Sequence, residues 1–111
     1  MTSAETEWLT IPDLVEMLNL TPSRVRRLID ERQLLAARID GVLKVPTLFL
    51  RDNAPLPELR GTATVLIDCG FTDEDATWWM LRPEESLGTT PIIALRAGRK
   101  AEVRRIAQAL A

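Results

Sequence analysis

The stretch "TIPDLVEMLNLTPSRVRRLID", residues 10–30, contains two helix starts in quick succession. Thr10 followed by Asp13 has the form of a capping box, in which a hydroxyl and an acidic side chain three residues on each satisfy the other's backbone amide. Pro12 is tolerated in a first turn, and Ile11, Leu14, Val15 and Leu18 follow helical spacing, so a helix is predicted over 11–18. Asn19 and Leu20 interrupt it. Thr21 and Pro22 restart it, since a threonine N-cap followed by proline is a strong helix-start signal. This second helix is predicted to reach Glu31. At about 100° per residue, Val25, Leu28 and Ile29 form its buried stripe, with Arg32 on the same side. Ser23, Arg27 and Asp30 lie opposite, and Arg24 and Arg26 flank that outer face.

Downstream, "LLAARIDGVLKVP" (34–46) places two apolar runs around Asp40-Gly41, a dipeptide suited to the positive backbone angles of a tight hairpin turn. Strands are predicted over 35–39 and 42–45. Ile39, Leu43 and Val45 are expected to face one way, and Arg38 and Lys44 to project together on the other. Upstream, "MTSAETEW" (1–8) reads as a flexible polar tail anchored by Trp8.

A proline-rich, linker-like stretch, "RDNAPLPE" (51–58), leads to the second half. There Leu59–Cys69 reads as a helix closed by Gly70, and Thr72 caps another over "DEDATWWML" (73–81), ended by Pro83. Thr90-Pro91 opens a short helix through Ala97, stopped by Gly98. Arg99–Leu110 forms the last, with Val103, Ile106, Ala107 and Leu110 inward. The expected fold is mainly α with a small β-hairpin: a winged helix-turn-helix over 9–54, then a C-terminal helical bundle over 55–111.

Composition narrows the functions open to such a chain. It has 111 residues, 46% hydrophobic and 27% charged, in keeping with one small folded unit and too few residues for a large active-site architecture. With no histidine, no tyrosine and a single cysteine, Cys69, the usual zinc constellations and the commonest general base are missing. No metal, cofactor or catalytic residue is implied, and an enzyme is not expected. Uncharged stretches such as Gly61–Ile67 are too short to span a membrane, and the N-terminus lacks the order of a signal peptide, so a cytoplasmic protein is expected.

The net charge of −2 hides an asymmetry. Between Thr21 and Arg51 seven basic residues (Arg24, Arg26, Arg27, Arg32, Arg38, Lys44, Arg51) meet three acidic ones (Asp30, Glu31, Asp40). An outward-facing basic helix can enter the major groove, where arginine pairs with guanine or neutralises phosphate, while a basic hairpin reaches the neighbouring backbone or minor groove. Ser23, Arg24, Arg26, Arg27, Arg38 and Lys44 are the candidate DNA contacts. Arg32, beside the buried stripe, is expected to snorkel or form an ion pair.

In the second half, Trp79 is expected to pack in the core and Trp78 to be more open, a candidate partner contact. Asp73, Glu74 and Asp75 sit in a first helical turn, where carboxylates complement the helix dipole. Cys69 reads as a small buried residue. Arg99 and Lys100 begin a helix, where the dipole disfavours cations, so they are expected to widen the DNA-facing surface, pair with Asp73–Asp75, or meet a partner.

Residues 9–46 resemble the excisionase/MerR-type winged helix-turn-helix, with its capped helix, recognition helix and a wing similar to "R-x-x-G-x-x-K-V-P". The resemblance implies that Ser23, Arg24 and Arg27 lie at the front of the recognition helix, and Arg38 and Lys44 on the wing. The stretch "WWMLRPEESLGTTPIIALRAGRKAEV" is similar to the C-terminal domain of MbcA/ParS/Xre antitoxins at Trp79, Pro83, Leu87, Gly88, Pro91, Leu95 and Gly98, which implies oligomerisation or toxin binding. The combination resembles a small actinobacterial DNA-binding family whose mycobacterial member is a substrate of a transmembrane Ser/Thr kinase. Only Thr2, Ser3 and Thr6 are available here as acceptors ahead of the fold.

The expected function is double-stranded DNA binding through helix 22–31 and wing 35–45, as a transcriptional regulator or nucleoid-associated protein, with a homodimer as candidate assembly. The alternative is an antitoxin-like or adaptor protein whose C-terminal half binds a toxin-like protein or kinase.

Overall fold

The computed structural model describes residues 7–110; residues 1–6 of the tail expected over 1–8 lie outside them. The two helix starts form as the side-chain chemistry dictates. Helix α1 spans Ile11–Leu18, with the Thr10 amide donating to Asp13 Oδ2 at 2.9 Å and the Asp13 amide donating to Thr10 Oγ1 at 3.3 Å. Asn19 closes α1 in the left-handed conformation, which asparagine tolerates better than most residues. Helix α2 spans Pro22–Asp30, and its Thr21 cap accepts the Arg24 amide at 3.2 Å.

Three strands complete the N-terminal half. Strand β1 (Trp8–Thr10), β2 (Ala37–Ile39) and β3 (Val42–Pro46) form an antiparallel sheet ordered β1-β3-β2. Strand β1 corrects the expectation that the polar tail runs through residue 8: Trp8 pairs with Pro46, Leu9 with Val45 and Thr10 with Lys44. Nothing local marks so short a strand; pairing with the central β3 makes it. Strand β2 starts at Ala37 rather than Leu35, because Leu34 and Leu35 are both drawn fully into the core.

The register corrects the expectation that Arg38 and Lys44 share a face. A two-residue turn at Asp40-Gly41 puts Ile39 opposite Val42, Arg38 opposite Leu43 and Ala37 opposite Lys44. Directly paired residues share a side and neighbours alternate, so Arg38 lies with Leu43 and Val45, and Lys44 with Ala37 and Thr10.

The linker-like stretch is also ordered. After a 3-10 turn at Thr47–Phe49, strands β4 (Leu50–Arg51) and β5 (Ala54–Pro55) form a hairpin around Asp52 and Asn53, whose φ values are 53° and 58°. Both turn residues are types that accept positive φ. Leu56, next in line, is buried. The C-terminal half follows as α3 (Leu59–Asp68), α4 (Asp73–Leu81), α5 (Pro91–Arg96) and α6 (Lys100–Gln108).

Both halves share one core. Leu14, Val25, Leu34, Leu35, Val45 and Phe49 from the first half join Leu59, Leu66, Met80, Ile92 and Leu95 from the second in a continuous buried cluster. Trp79 packs against it, as expected, and also against a smaller cluster of Leu87, Ala94 and Val103. Two details differ from the sequence reading. Leu110 is exposed, lying past the end of α6, and Cys69 is only half-buried, its thiol 3.5 Å from the Ala107 carbonyl. Among the described residues no helix is long and apolar enough to cross a membrane.

Candidate nucleic-acid interface

Helix α2 is seated by Val25, which is fully buried, and by half-buried Leu28 and Ile29. That seating leaves Ser23, Arg24, Arg26, Arg27 and Asp30 exposed, as the angular reading predicts. Arg27 Nε stands 3.7 Å from Glu31 Oε2, a loose i,i+4 pair whose arginine side chain is 76% exposed. Such a pair stabilises the helix little and leaves the guanidinium available. Arg24 and Arg26 have no ion-pair partner among the described residues.

Wing and helix meet at a groove. Arg26 and Arg38 both line a concavity of about 420 Å³, together with Thr10, Ile11, Pro12, Gly41, Val42 and Leu43. Arg26 also lines a larger groove, of about 790 Å³, running along the turn between α1 and α2. Arg38 therefore joins the α2 side of the sheet. Its companion in the sequence reading, Lys44, is half-exposed on the other face. Lys44 adds to the effect of the Thr10 amide and hydroxyl, which together hold the Asp13 carboxyl below its ordinary range.

Two of the seven basic residues counted from sequence serve the fold instead. Arg32 Nε donates to Asp73 Oδ1 at 3.0 Å, the ion pair expected of it. Arg51 Nη2 donates to the Arg96 carbonyl at 2.7 Å, while Arg96 Nη1 donates to the carbonyls of Leu48 and Leu50 at 2.9 and 2.6 Å. These reciprocal contacts tie α5 to the β4–β5 hairpin. Sequence separations of 45 to 48 residues hide them from any local pattern.

The C-terminal candidates are placed differently from one another. Trp78 packs on Trp8, with ring centroids 5.4 Å apart and planes at 55°. Arg99 is bidentate on Glu102, at 2.9 and 3.0 Å, and donates to the Leu87 carbonyl at 3.1 Å, so it does not pair with Asp73–Asp75. The pairing raises the Arg99 pKa and lowers that of Glu102. Lys100 is exposed. Arg104 points inward, donating to Thr62 Oγ1 and the Glu58 carbonyl, both at 3.1 Å.

A capped helix, a short turn, a second helix with outward arginines and a three-stranded sheet ending in a hairpin define a winged helix-turn-helix, here with a helical domain packed behind it. Comparison with known families agrees on both parts. Residues 1–50 match the family described as "DNA-binding protein Rv2175c, wHTH domain", and residues 56–111 match the "Rv2175c C-terminal domain of unknown function". The chain belongs to the Rv2175c family.

Individual relatives fit that assignment. DNA-binding protein Rv2175c of Mycobacterium tuberculosis is 31% identical over 114 residues, spanning 91% of this chain and 78% of that protein. An excisionase of Streptomyces ambofaciens is 40% identical over 52 residues, which is 47% of this chain and 84% of the excisionase. The NMR structure of Rv2175c superposes with a TM-score of 0.86 at 28% identity, covering 96% of this chain and 82% of that one.

Proposed function

We propose that this chain binds double-stranded DNA with sequence preference, as a transcriptional regulator or nucleoid-associated protein. Helix α2 enters the major groove with Ser23, Arg24, Arg26 and Arg27. The wing brings Arg38 to the neighbouring backbone or minor groove, and Lys44 serves as a second, more peripheral phosphate contact. One observation carries the reading: α2 exposes three arginines within four positions, and one of them, Arg26, lines a groove together with the wing's Arg38, on a chain whose net charge is −2. That arrangement places several cations where a duplex would lie. The DNA-binding description of the mycobacterial relative and the excisionase relative support it.

A single small module makes few phosphate contacts, so specific binding is expected from two copies on a palindromic site. The alternative, a protein-binding role for the C-terminal half, has less to build on. Of its three candidate residues, Trp78 and Arg99 are already engaged within the chain.

Selection of bound duplexes from a random pool, followed by a salt series on the enriched sequences, tests the proposal. An enriched palindrome whose affinity falls steeply with salt is expected. Failure to enrich any sequence over shuffled controls, with no retention of duplex at low salt, would remove the DNA-binding reading.

A further inference from the structure

Residues 32–36 join the recognition helix to the wing, and both ends of this segment are held by one helix of the C-terminal half. At its start, Arg32 takes a left-handed φ of 61° and its Nε donates to Asp73 Oδ1 at 3.0 Å. At its end, the Ala36 carbonyl accepts the Thr77 hydroxyl at 3.0 Å, one residue before β2 begins. Asp73 and Thr77 stand at i and i+4 on α4, about 6 Å apart along its axis. Between the two anchor points Leu34 and Leu35 are fully buried, so the segment cannot lift away without exposing both. Thr77 is itself fully buried, and its hydroxyl also lies 2.9 Å from the Asp73 carbonyl. One proton thus has two acceptors, and the Ala36 carbonyl is the one that belongs to the DNA-binding half.

We propose that Asp73 and Thr77 are positioning residues for DNA recognition: α4 is a gauge that sets the spacing of the wing from the recognition helix. The inference rests on the DNA-binding reading of α2 and the wing. Helix and hairpin address different parts of a duplex, so the wing contributes only while it is held at the right offset from a seated α2. Asp73 and Thr77 fix that offset without reaching DNA, which gives the C-terminal half a part in site choice.

A coupling measurement separates this from ordinary stabilisation. Binding of a fluorescent duplex, enriched beforehand by the wild-type chain, is compared for Arg24→Ala and Arg38→Ala in the wild-type and Thr77→Val backgrounds. Thr77→Val keeps the volume and removes the hydroxyl. The Arg38→Ala loss is expected to shrink by about threefold or more in the Thr77→Val background, within the usual range of coupling between linked residues. The Arg24→Ala loss is expected to stay the same, and Thr77→Ser to restore the wing's contribution.

Equal Arg38→Ala losses in both backgrounds would overturn the proposal, as would Thr77→Ser behaving like Thr77→Val. Should circular dichroism find Thr77→Val unfolded, Asp73→Asn, at a partly exposed site, carries the same comparison. If neither Arg24→Ala nor Arg38→Ala weakens binding of the folded wild-type background, the DNA-binding reading itself fails, a distinct result that removes this inference with it.

Discussion

Trp8 and Trp78, seventy residues apart in sequence, face each other at 5.4 Å in a tilted aromatic pair. The first ring belongs to the edge strand β1 and the second to α4, so the contact pins the edge of the winged sheet to the C-terminal half. A tilted pair suits the ring quadrupoles and adds about 0.5–1.5 kcal/mol beyond the area it covers. Trp8→Ala is expected to lower unfolding stability by about 2 kcal/mol, and Trp78→Ala added to it should cost less than it does alone, the shortfall being the pair's coupling. Urea titrations of the two single variants and the double variant measure this directly; strictly additive losses would mean that the rings do not interact.

Arg24→Ala with Arg27→Ala is expected to leave the fold intact, because both side chains are exposed and neither holds a strong internal partner. Duplex affinity should fall, and the slope of log affinity against log salt should flatten by about 2 if each arginine neutralises one phosphate. Fluorescence anisotropy across a salt series reads both quantities. An unchanged slope with reduced affinity would instead assign the two arginines to base edges.

Gly61 has a different dependence. A Cβ there would come within 2.5 Å of Arg104 Nη2, the group bonded to the Glu58 carbonyl. In the native background Gly61→Ala forces the guanidinium to move and loses hydrogen bonds worth about 1 kcal/mol, offsetting the similar gain from replacing a helical glycine by alanine. With Arg104→Ala already present the clash is gone, and Gly61→Ala should stabilise by about 0.5–1 kcal/mol. Thermal melts of the four chains show whether the effect of the alanine depends on Arg104 in this way.

The capping box makes a pH prediction. Asp13 binds its proton less readily in the folded chain, chiefly through the Thr10 amide and hydroxyl, with Lys44 adding a smaller attraction. A depressed folded pKa contributes stability that is fully present above the unfolded value and is lost as pH falls through the folded one. Stability from this group should therefore be constant near neutrality and fade below the ordinary carboxylate value of 3.8. Asp13→Asn should flatten that part of the acid limb in urea midpoints taken between about pH 6 and pH 2. Thr10→Ala should remove the same pH dependence while lowering stability at neutral pH by about 1 kcal/mol, the usual size of an N-cap loss.

What was legible in the sequence was what neighbouring residues decide among themselves. Thr10 with Asp13, Thr21 with Pro22, Thr72, and Thr90 with Pro91 mark helix starts because each cap and the amide it satisfies lie within three residues. Burial of Val25, and hence the outward turn of Arg24, Arg26 and Arg27, followed from helical geometry alone. The hairpin is legible as a hairpin, but its faces depend on register: the Asp40-Gly41 turn pairs Arg38 with Leu43, so alternation separates Arg38 from Lys44. Strand β1 and the β4–β5 hairpin are two or three residues per strand and exist through pairing. Likewise Arg51 and Arg96 have the composition of surface cations, and only partners 45 to 48 residues away make them structural.

The continuous core has an evolutionary consequence. Leu34, Leu35 and Phe49 in the first half share their burial with Leu59, Met80 and Ile92 in the second. A substitution on either side of the seam is thus felt by both halves. Recombination that exchanged only the DNA-reading half between relatives would bring together surfaces never selected to fit. Target choice in this lineage is expected to diverge through point changes on α2 and the wing, leaving the seam as the slowly changing part of the chain.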